Sequence, residues 1–296
     1  MREIMSLPAT QHPFVFIDSL ADIADRYDTF IVDLWGVIHD GHKPLDGVLH
    51  ALRALALMDK TVVFLSNAPR RSRPLEDQLS RMGVERDLYT RVYSSGEDAM
   101  GALTQEHRGK VCYAIMASIH EPLLEDAGAR VTLTLDEADF VLNTGPIPLF
   151  VEEHEGLLKE AVAKDLPMVC VNPDIAVMRE GVYSLCAGAL AKRYEEMGGR
   201  VHYHGKPYPE IYERLWDLLG TPGKSRILAV GDSLTTDIYG ANRFGVDSLL
   251  VLSGLEGYAM HMQDNPFPNR EKIEITCAAK HAFPTYVARG FIYGEA

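Results

Sequence analysis

Phe30-Ile31-Val32-Asp33-Leu34-Trp35-Gly36-Val37-Ile38-His39-Asp40-Gly41 is the stretch that decides the fold. Phe30, Ile31 and Val32 form a short apolar run, partly β-branched, as expected of a strand buried on both faces. The run stops at Asp33, and Gly36 soon lets the chain turn away. A carboxylate buried without a partner costs several kcal/mol. At a strand end facing a metal or a substrate, the same group serves as ligand or nucleophile. Trp35 stands two positions on, where an acid would be the simpler choice for chemistry on a phosphate.

Outward from that stretch, the pattern repeats. Asp18 to Arg26 reads as a helix leading into the strand, and Gly47 to Met58 carries Val48, Leu49, Leu52, Leu55 and Ala56 at helical spacing. Thr61 to Leu65 is a second buried strand, stopping at Ser66-Asn67, followed by a helix over Arg70 to Met82. This β-α-β-α order implies a parallel sheet covered on both faces. The C-terminal part does the same, with helix Pro209–Leu219, strand Arg226–Val230 ending at Gly231-Asp232, short helix Thr236–Phe244 and strand Asp247–Leu252. Ligands in such sheets sit at the carboxyl ends of the strands. Between these halves, Thr104 to Gly199 has its own strands (Val111–Met116, Phe140–Leu142, Met168–Val171) and helices (Val151–Ala163, Ala187–Met197), without strand-end acids. The reading is an inserted domain over 104–199 in a discontinuous core of 1–103 and 200–296. Beyond about Glu256 the chain reads as loop-rich.

At 296 residues, 47% apolar and 24% charged, the chain has the composition of an ordinary globular protein with a substantial core. A net charge of -13 disfavours a nucleic-acid or anionic-membrane partner, since both select basic surfaces. No run approaches the ~18–20 apolar residues of a membrane span. Met1 to His12 lacks the basic-then-apolar pattern of a secretory signal. Cys112, Cys170, Cys186 and Cys277 are scattered, read as buried reduced thiols, and point with the rest to the cytoplasm.

The strand ends carry different chemical tools. Asp33 offers a carboxylate, Ser66 and Asn67 neutral donors, Lys206 a fixed charge in His-Gly-Lys-Pro-Tyr-Pro, and Asp232 and Asp237 two further carboxylates in Gly-Asp-Ser-Leu-Thr-Thr-Asp. Converging carboxylates raise one another's pKa values, and a hard divalent cation such as Mg²⁺ relieves them. The lysine and the Ser/Asn donors then suit phosphate oxygens.

These motifs resemble the haloacid-dehalogenase superfamily, and within it the class IIA (NagD-like) phosphatases. Asp33-Leu34-Trp35-Gly36-Val37 matches the first motif, Asp-x-Asp-Gly-Val; Ser66-Asn67 matches the second, Lys206 the third, and Asp232 with Asp237 the fourth. The insert lies between the second and third motifs, as a C2-type cap does, and Asn172-Pro173-Asp174 and Ala187-Gly188-Ala189-Leu190 look like that cap's features. The resemblance implies a Rossmann-like, doubly wound α/β core with an α/β cap. It implies Asp33 as a nucleophile forming an aspartyl-phosphate. Mg²⁺ would be held by Asp33, Asp232 and the Trp35 carbonyl, with Asp237 near or behind it. Ser66 and Lys206 would bind the phosphoryl group, and Asn67, Asn172 and Asp174 would lie on the substrate side. A small phosphorylated metabolite is the implied partner, and a homodimer is common in the class.

Trp35 is the departure from the pattern. The family's aspartate there protonates the leaving alkoxide, whereas indole offers one N–H donor and no acid or base. His39, Asp40 and His42 follow as candidate replacements. Two rival readings remain beside the phosphatase: a phospholigand sensor with little turnover, and a phosphonate or acyl-phosphate hydrolase needing no leaving-group acid. Taken singly, Asp33 or Asp232 is a turn or cap residue and Lys206 a solvated lysine; four motifs in order outweigh those readings. Asn172-Pro173-Asp174 reads equally well as a structural turn. His202 and His204 read as exposed strand residues rather than zinc ligands, because no third ligand accompanies them.

Overall fold

Strands apolar on every residue need cover on both faces, and the computed structural model, which describes residues 14–179, 182–261 and 269–294, supplies it. The chain opens with β1 (Val15–Phe16), β2 (Thr29–Val32), β3 (Thr61–Ser66) and β4 (Arg91–Ser94). Next come β5 (Val111–Met116), β6 (Arg130–Thr132), β7 (Phe140–Gly145), β8 (Met168–Cys170), β9 (Ala176–Arg179), β10 (Val182–Leu185) and β11 (Val201–Tyr203). β12 (Ile227–Gly231), β13 (Asp247–Val251) and β14 (Tyr286–Ala288) complete the series.

Seven of these make one parallel sheet in the order β1-β14-β13-β12-β2-β3-β4. Along β2, Phe30 and Val32 pack with Val48, Leu52 and Leu55 of the helix Val48–Leu57. Ile31 points the other way, to Ile211 and Leu215 of the helix Pro209–Leu218. From β2 the sheet grows outward through β3 and β4, and from β12 in the opposite direction through β13 and β14. The β2–β12 pair is therefore the topological switch point, where a crevice opens beyond the strand ends.

A second parallel sheet, β11-β8-β7-β5-β6, occupies the middle of the chain. Leu158, Ala161, Leu190 and Ala191 cover one face of it, and Ala99, Leu103, Leu123 and Leu124 the other. Its edge strand β11 lies just past Gly199, so the sheet spans Val111 to Tyr203. The antiparallel pair β9–β10 stands apart as a hairpin.

Several local expectations are corrected. Asp18–Arg26 is not one helix but two 3₁₀ turns, Leu20–Asp22 and Ala24–Arg26. Ser19 and Asp22 cap the first turn reciprocally, and Ile23, at φ −133°, breaks the run. The short helix before β13 starts with a π turn, Leu234–Ile238, and continues as Tyr239–Phe244. Loop-rich is a poor description of the described part of the segment after Glu256, which holds a helix at Arg270–Lys280 and β14 inside the main sheet. His202 is exposed on β11, but His204 is buried. All four cysteines are buried and free. No described helix is long and apolar enough to cross a membrane. The reading of Met1–His12 falls outside the described residues.

His204 is buried because it ties together the two passages between the sheets. Its Nδ1 pairs with Asp98 Oδ2 at 2.8 Å, and Arg214 donates to Asp98 Oδ1 at 2.5 Å. Burial pushes the Asp98 carboxyl up, but His204 and Arg214 outweigh it and hold the group below the usual carboxylate range. Breaking such a pair is strongly destabilising, and Asp98→Asn is expected to cost ~2–4 kcal/mol at pH 7, since Arg214 is partly solvated. A depressed carboxyl contributes its stability above the unfolded-chain value and loses it as pH falls through the folded one. The gap in urea midpoint between wild type and variant should therefore close below about pH 4. Equal midpoints at pH 7 would refute the role of this pair.

Candidate active site

The six strand-end residues singled out in the sequence, Asp33, Ser66, Asn67, Lys206, Asp232 and Asp237, meet at the switch point. Asp33 follows β2 and is held by its main-chain N–H, which donates to Val230 O at 2.8 Å. Ser66 is the last residue of β3, and Asp232 follows β12. Asp237 comes back to the strand end through the π turn, in which Ile238 N–H reaches Ser233 O at 3.1 Å. Its Oδ2 accepts the Ser233 N–H at 3.1 Å. Lys206, on the loop after β11, brings its ammonium to 2.5 Å from Asp33 Oδ1 and 2.6 Å from Asp237 Oδ1. All of these residues are buried.

Electrostatics dominates this cluster. Asp33, Asp232 and Asp237 each offer an oxygen, all within 4.8 Å of one another. Burial pushes Asp33 up to about 7 against the pull of Lys206, with Asp237 adding to the rise. Asp232 is driven well above the carboxylate range by burial, then by Asp33 and Asp237, while its Oδ2 accepts the Leu255 N–H at 2.7 Å. Burial alone would lower Lys206, but Asp237 and Asp33 hold its ammonium above the ordinary lysine value. Three carboxylates against one ammonium, with oxygen donors only, is a set that fits a hard divalent cation. Gly36 makes the crowding feasible: at φ +79° a Cβ would stand 2.1 Å from Asp232 Oδ2.

Asn67 acts as a brace. Its Oδ1 accepts the Lys206 N–H at 2.7 Å, and its Nδ2 donates to Lys206 O at 3.0 Å and to Asp174 Oδ1 at 2.8 Å. Asn172 Oδ1 in turn accepts the Asp174 N–H at 3.0 Å, so the Asn-Pro-Asp turn presents Asp174 to the core. Burial raises Asp174 to about 6, opposed by Lys206 and Asn67.

A cavity of about 280 Å³ opens above the cluster, between the core and the second sheet, and reaches Ser66, Asn172 and Asp174. Its volume is near the lower end for small-ligand sites. Trp35 lines it, with the indole Nε1–H donating to Met178 O on β9 at 2.7 Å. The segment after Trp35 folds into a tight flap, closed by Gly36 N–H to His39 O at 2.9 Å. Of the three candidate replacements for an acid, His39 lines the cavity, while Asp40 and His42 do not. Burial pushes the His39 imidazole down to about 4, so it is neutral at pH 7, and its Nδ1 accepts the Gly41 N–H at 3.1 Å. Asp40 is spent on the turn, accepting the His42 and Lys43 N–H groups at 2.9 Å each. Two participants were not singled out in the sequence. Met178 contributes only a main-chain carbonyl, for which no residue type is a signal. Arg70 lines the cavity four residues after Ser66, and that proximity was its one available clue.

The switch-point crevice, with three acids and one lysine, defines a ligand site of the doubly wound α/β class. Comparison with known proteins makes this specific. A model described as haloacid dehalogenase-like hydrolase matches residues 30–130, and one described as HAD-hydrolase-like matches 203–271, together more than half of the chain. The chain belongs to the haloacid dehalogenase-like hydrolases. It is 28% identical over 229 residues to the ribonucleotide monophosphatase NagD of Escherichia coli, covering 76% of this chain and 87% of that one. It is 24% identical over 236 residues to the acid sugar phosphatase of Staphylococcus epidermidis, covering 79% and 89%. Among solved structures, a haloacid dehalogenase-like hydrolase from Brucella suis aligns with a TM-score of 0.77 at 29% identity, over 94% of this chain and all of that one.

The Trp35–Met178 bond joins the flap to the hairpin, so its loss should be visible in both. In Trp35→Phe the ring volume is largely kept and the donor removed. Amide exchange over 176–179 and 36–41 should accelerate at least several-fold, with the β2 and β12 amides unchanged. Unchanged exchange in the hairpin would show that the bond holds nothing.

Proposed function

We propose that this protein is a Mg²⁺-dependent phosphatase of small phosphorylated metabolites, class IIA in type, with Asp33 as the phosphoryl acceptor. The observation that carries the reading is the buried Lys206 ammonium bridging Asp33 and Asp237 beside Asp232, at the mouth of a ligand-sized cavity. Asp33, Asp232, Asp237 and the Trp35 carbonyl would hold the cation, which when bound supplies positive charge against the phosphoryl oxygens. The relatives named as phosphatases of ribonucleotides and sugars support the same class of ester.

In this scheme an Asp33 carboxylate oxygen attacks phosphorus and the ester oxygen departs with the bonding pair. Lys206 and the Ser66 hydroxyl stabilise the charge gathering on the phosphoryl oxygens. Water then attacks phosphorus, the phosphorus–oxygen bond to Asp33 breaks, and inorganic phosphate leaves with the carboxylate regenerated. Asn67 fixes the Lys206 loop, and the second sheet with its hairpin excludes bulk water. Trp35 can neither protonate the leaving oxygen nor activate water, and neutral His39 is a poor acid. Those two facts favour one second reading, a phospholigand-binding protein with little turnover.

A leaving-group series separates the two. Aryl phosphates should turn over readily, and alkyl phosphates more slowly by ~10²–10⁴, the usual worth of a general acid. Trp35→Asp should narrow the gap, and Asp33→Asn should remove turnover to below about a thousandth. Tight binding of every ester with no hydrolysis would establish the sensor reading, and an active Asp33→Asn would remove the nucleophile.

Cation affinity should also follow pH in a defined direction. A carboxyl pushed up to about 7 must lose its proton before it can ligate, so binding releases protons and tightens as pH rises. The Asp33 proton alone predicts about a tenfold gain in Mg²⁺ affinity between pH 6 and pH 8, and the raised Asp232 can only steepen it. Calorimetry in buffers of different ionisation enthalpy measures both quantities, and pH-independent affinity would contradict the assignment.

A further inference from the structure

Among the described residues, Arg70 is a cation without a counter-ion in the wall of the cavity. It lines the same space as Asp33 and Ser66, together with Leu75, Gln78 and Ile119. Its guanidinium donates to Gln78 Oε1 at 2.9 Å and to Pro74 O at 3.3 Å, both neutral acceptors. Among the described residues it forms no ion pair, although the chain carries thirteen excess negative charges. Its neighbours are compensated: Arg71 pairs with Glu97 and Asp126, and Arg73 with Asp77. Half-burying an arginine without a carboxylate forgoes the charge-assisted bonds for which its fork is suited.

The position of Arg70 is also built rather than incidental. Ser94 Oγ donates to its carbonyl at 2.5 Å, and Gly96 packs so tightly against its main chain that a Cβ there would stand 2.5 Å from Arg70 O. The guanidinium therefore starts from a fixed point on the loop that follows Ser66 and carries Asn67. One end of the cavity holds the acidic cluster and the phosphoryl site, and this loop leads to an unpaired positive charge in the wall above.

We propose that Arg70 forms a second anion subsite, so that the substrate carries another anionic group besides the phosphoryl being transferred. The inference rests on the phosphatase reading for the first group and deepens it: the substrate is a compact ester bearing a carboxylate or a further phosphate. A cavity of about 280 Å³ leaves room for a small linker between the two anions. Gln78 and Pro74 hold the fork in place, and the ligand's anion takes the donors they leave open.

Three phosphate esters of one chain length test this, ending in a hydroxyl, a carboxylate or a second phosphate. With Mg²⁺, kcat/KM should favour an anion-ended ester over the hydroxyl-ended one by about 10- to 100-fold, the worth of a charge-assisted bidentate contact. The better of the two anionic arms identifies the group. Arg70→Gln should collapse that preference to near unity, and Arg70→Lys, which keeps the charge but not the fork, should retain part of it. Arg70→Lys carries the comparison if Arg70→Gln does not fold. A wild type without preference overturns the proposal. So does an Arg70→Gln that slows all three esters alike, because Arg70 would then serve the reacting phosphoryl group or the fold alone. Calorimetric binding of the same esters to Asp33→Asn protein, with Arg70 and with Arg70→Gln, reads the subsite without turnover. An Arg70-dependent preference in binding with no hydrolysis by the wild type would sustain the subsite and defeat the phosphatase reading; hydrolysis without preference would do the reverse.

Discussion

The buried ammonium of Lys206 is the interaction on which the site depends. Three carboxylates cannot share a few ångströms of desolvated space unless their charge is answered, and Lys206 answers it for Asp33 and Asp237 directly. Much of the surrounding structure serves to deliver that one group. Asn67 grips the Lys206 main chain on both sides, the π turn returns Asp237 to meet it, and the Asp98–His204 pair anchors the loop just before it. With all three acids ionised, two negative charges would be left over against the one ammonium, a remainder that a divalent cation matches in sign and magnitude.

Trp35, two residues after Asp33, serves the cavity in another way than an acid would. An aspartate there would add a fourth acid to an already crowded cluster; the indole instead contributes area to the cavity wall and spends its donor on Met178 O. The indole donor thereby couples the flap to the hairpin. A carboxylate could not make the same bond, because a main-chain carbonyl accepts and an ionised acid has nothing to donate.

Much of the core was legible because its strands are short, apolar and bounded by glycine or acid. β2, β3, β12 and β13 were all found from that contrast, and the helices Val48–Leu57 and Val151–Ala163 from their periodicity. β1, β4 and β14 were missed: they have two to four residues, too few to show a period, and they are strands only because a neighbour offers its edge. Asp18–Arg26 had helical spacing, but side-chain caps within the segment stopped it at single turns. His204 looked exposed because its partner, Asp98, lies 106 residues away and pairing across that distance leaves no local mark. The acids, Ser66, Asn67 and Lys206 could be read from motif order, whereas Arg70 and the hairpin carbonyl depend on tertiary placement that spacing does not encode.

The contact between Trp35 and the hairpin is made to main chain rather than to a side chain, and this has an evolutionary consequence. Val177 and Met178 face the cavity while the Met178 carbonyl holds the hairpin down. Any residue except one that distorts the strand presents the same carbonyl. The hairpin is therefore free to change its side chains, and with them the shape offered to a ligand, without loosening its attachment to the core. Attachment to the core and the shape of the cavity wall are here carried by different atoms of the same strand and can drift independently.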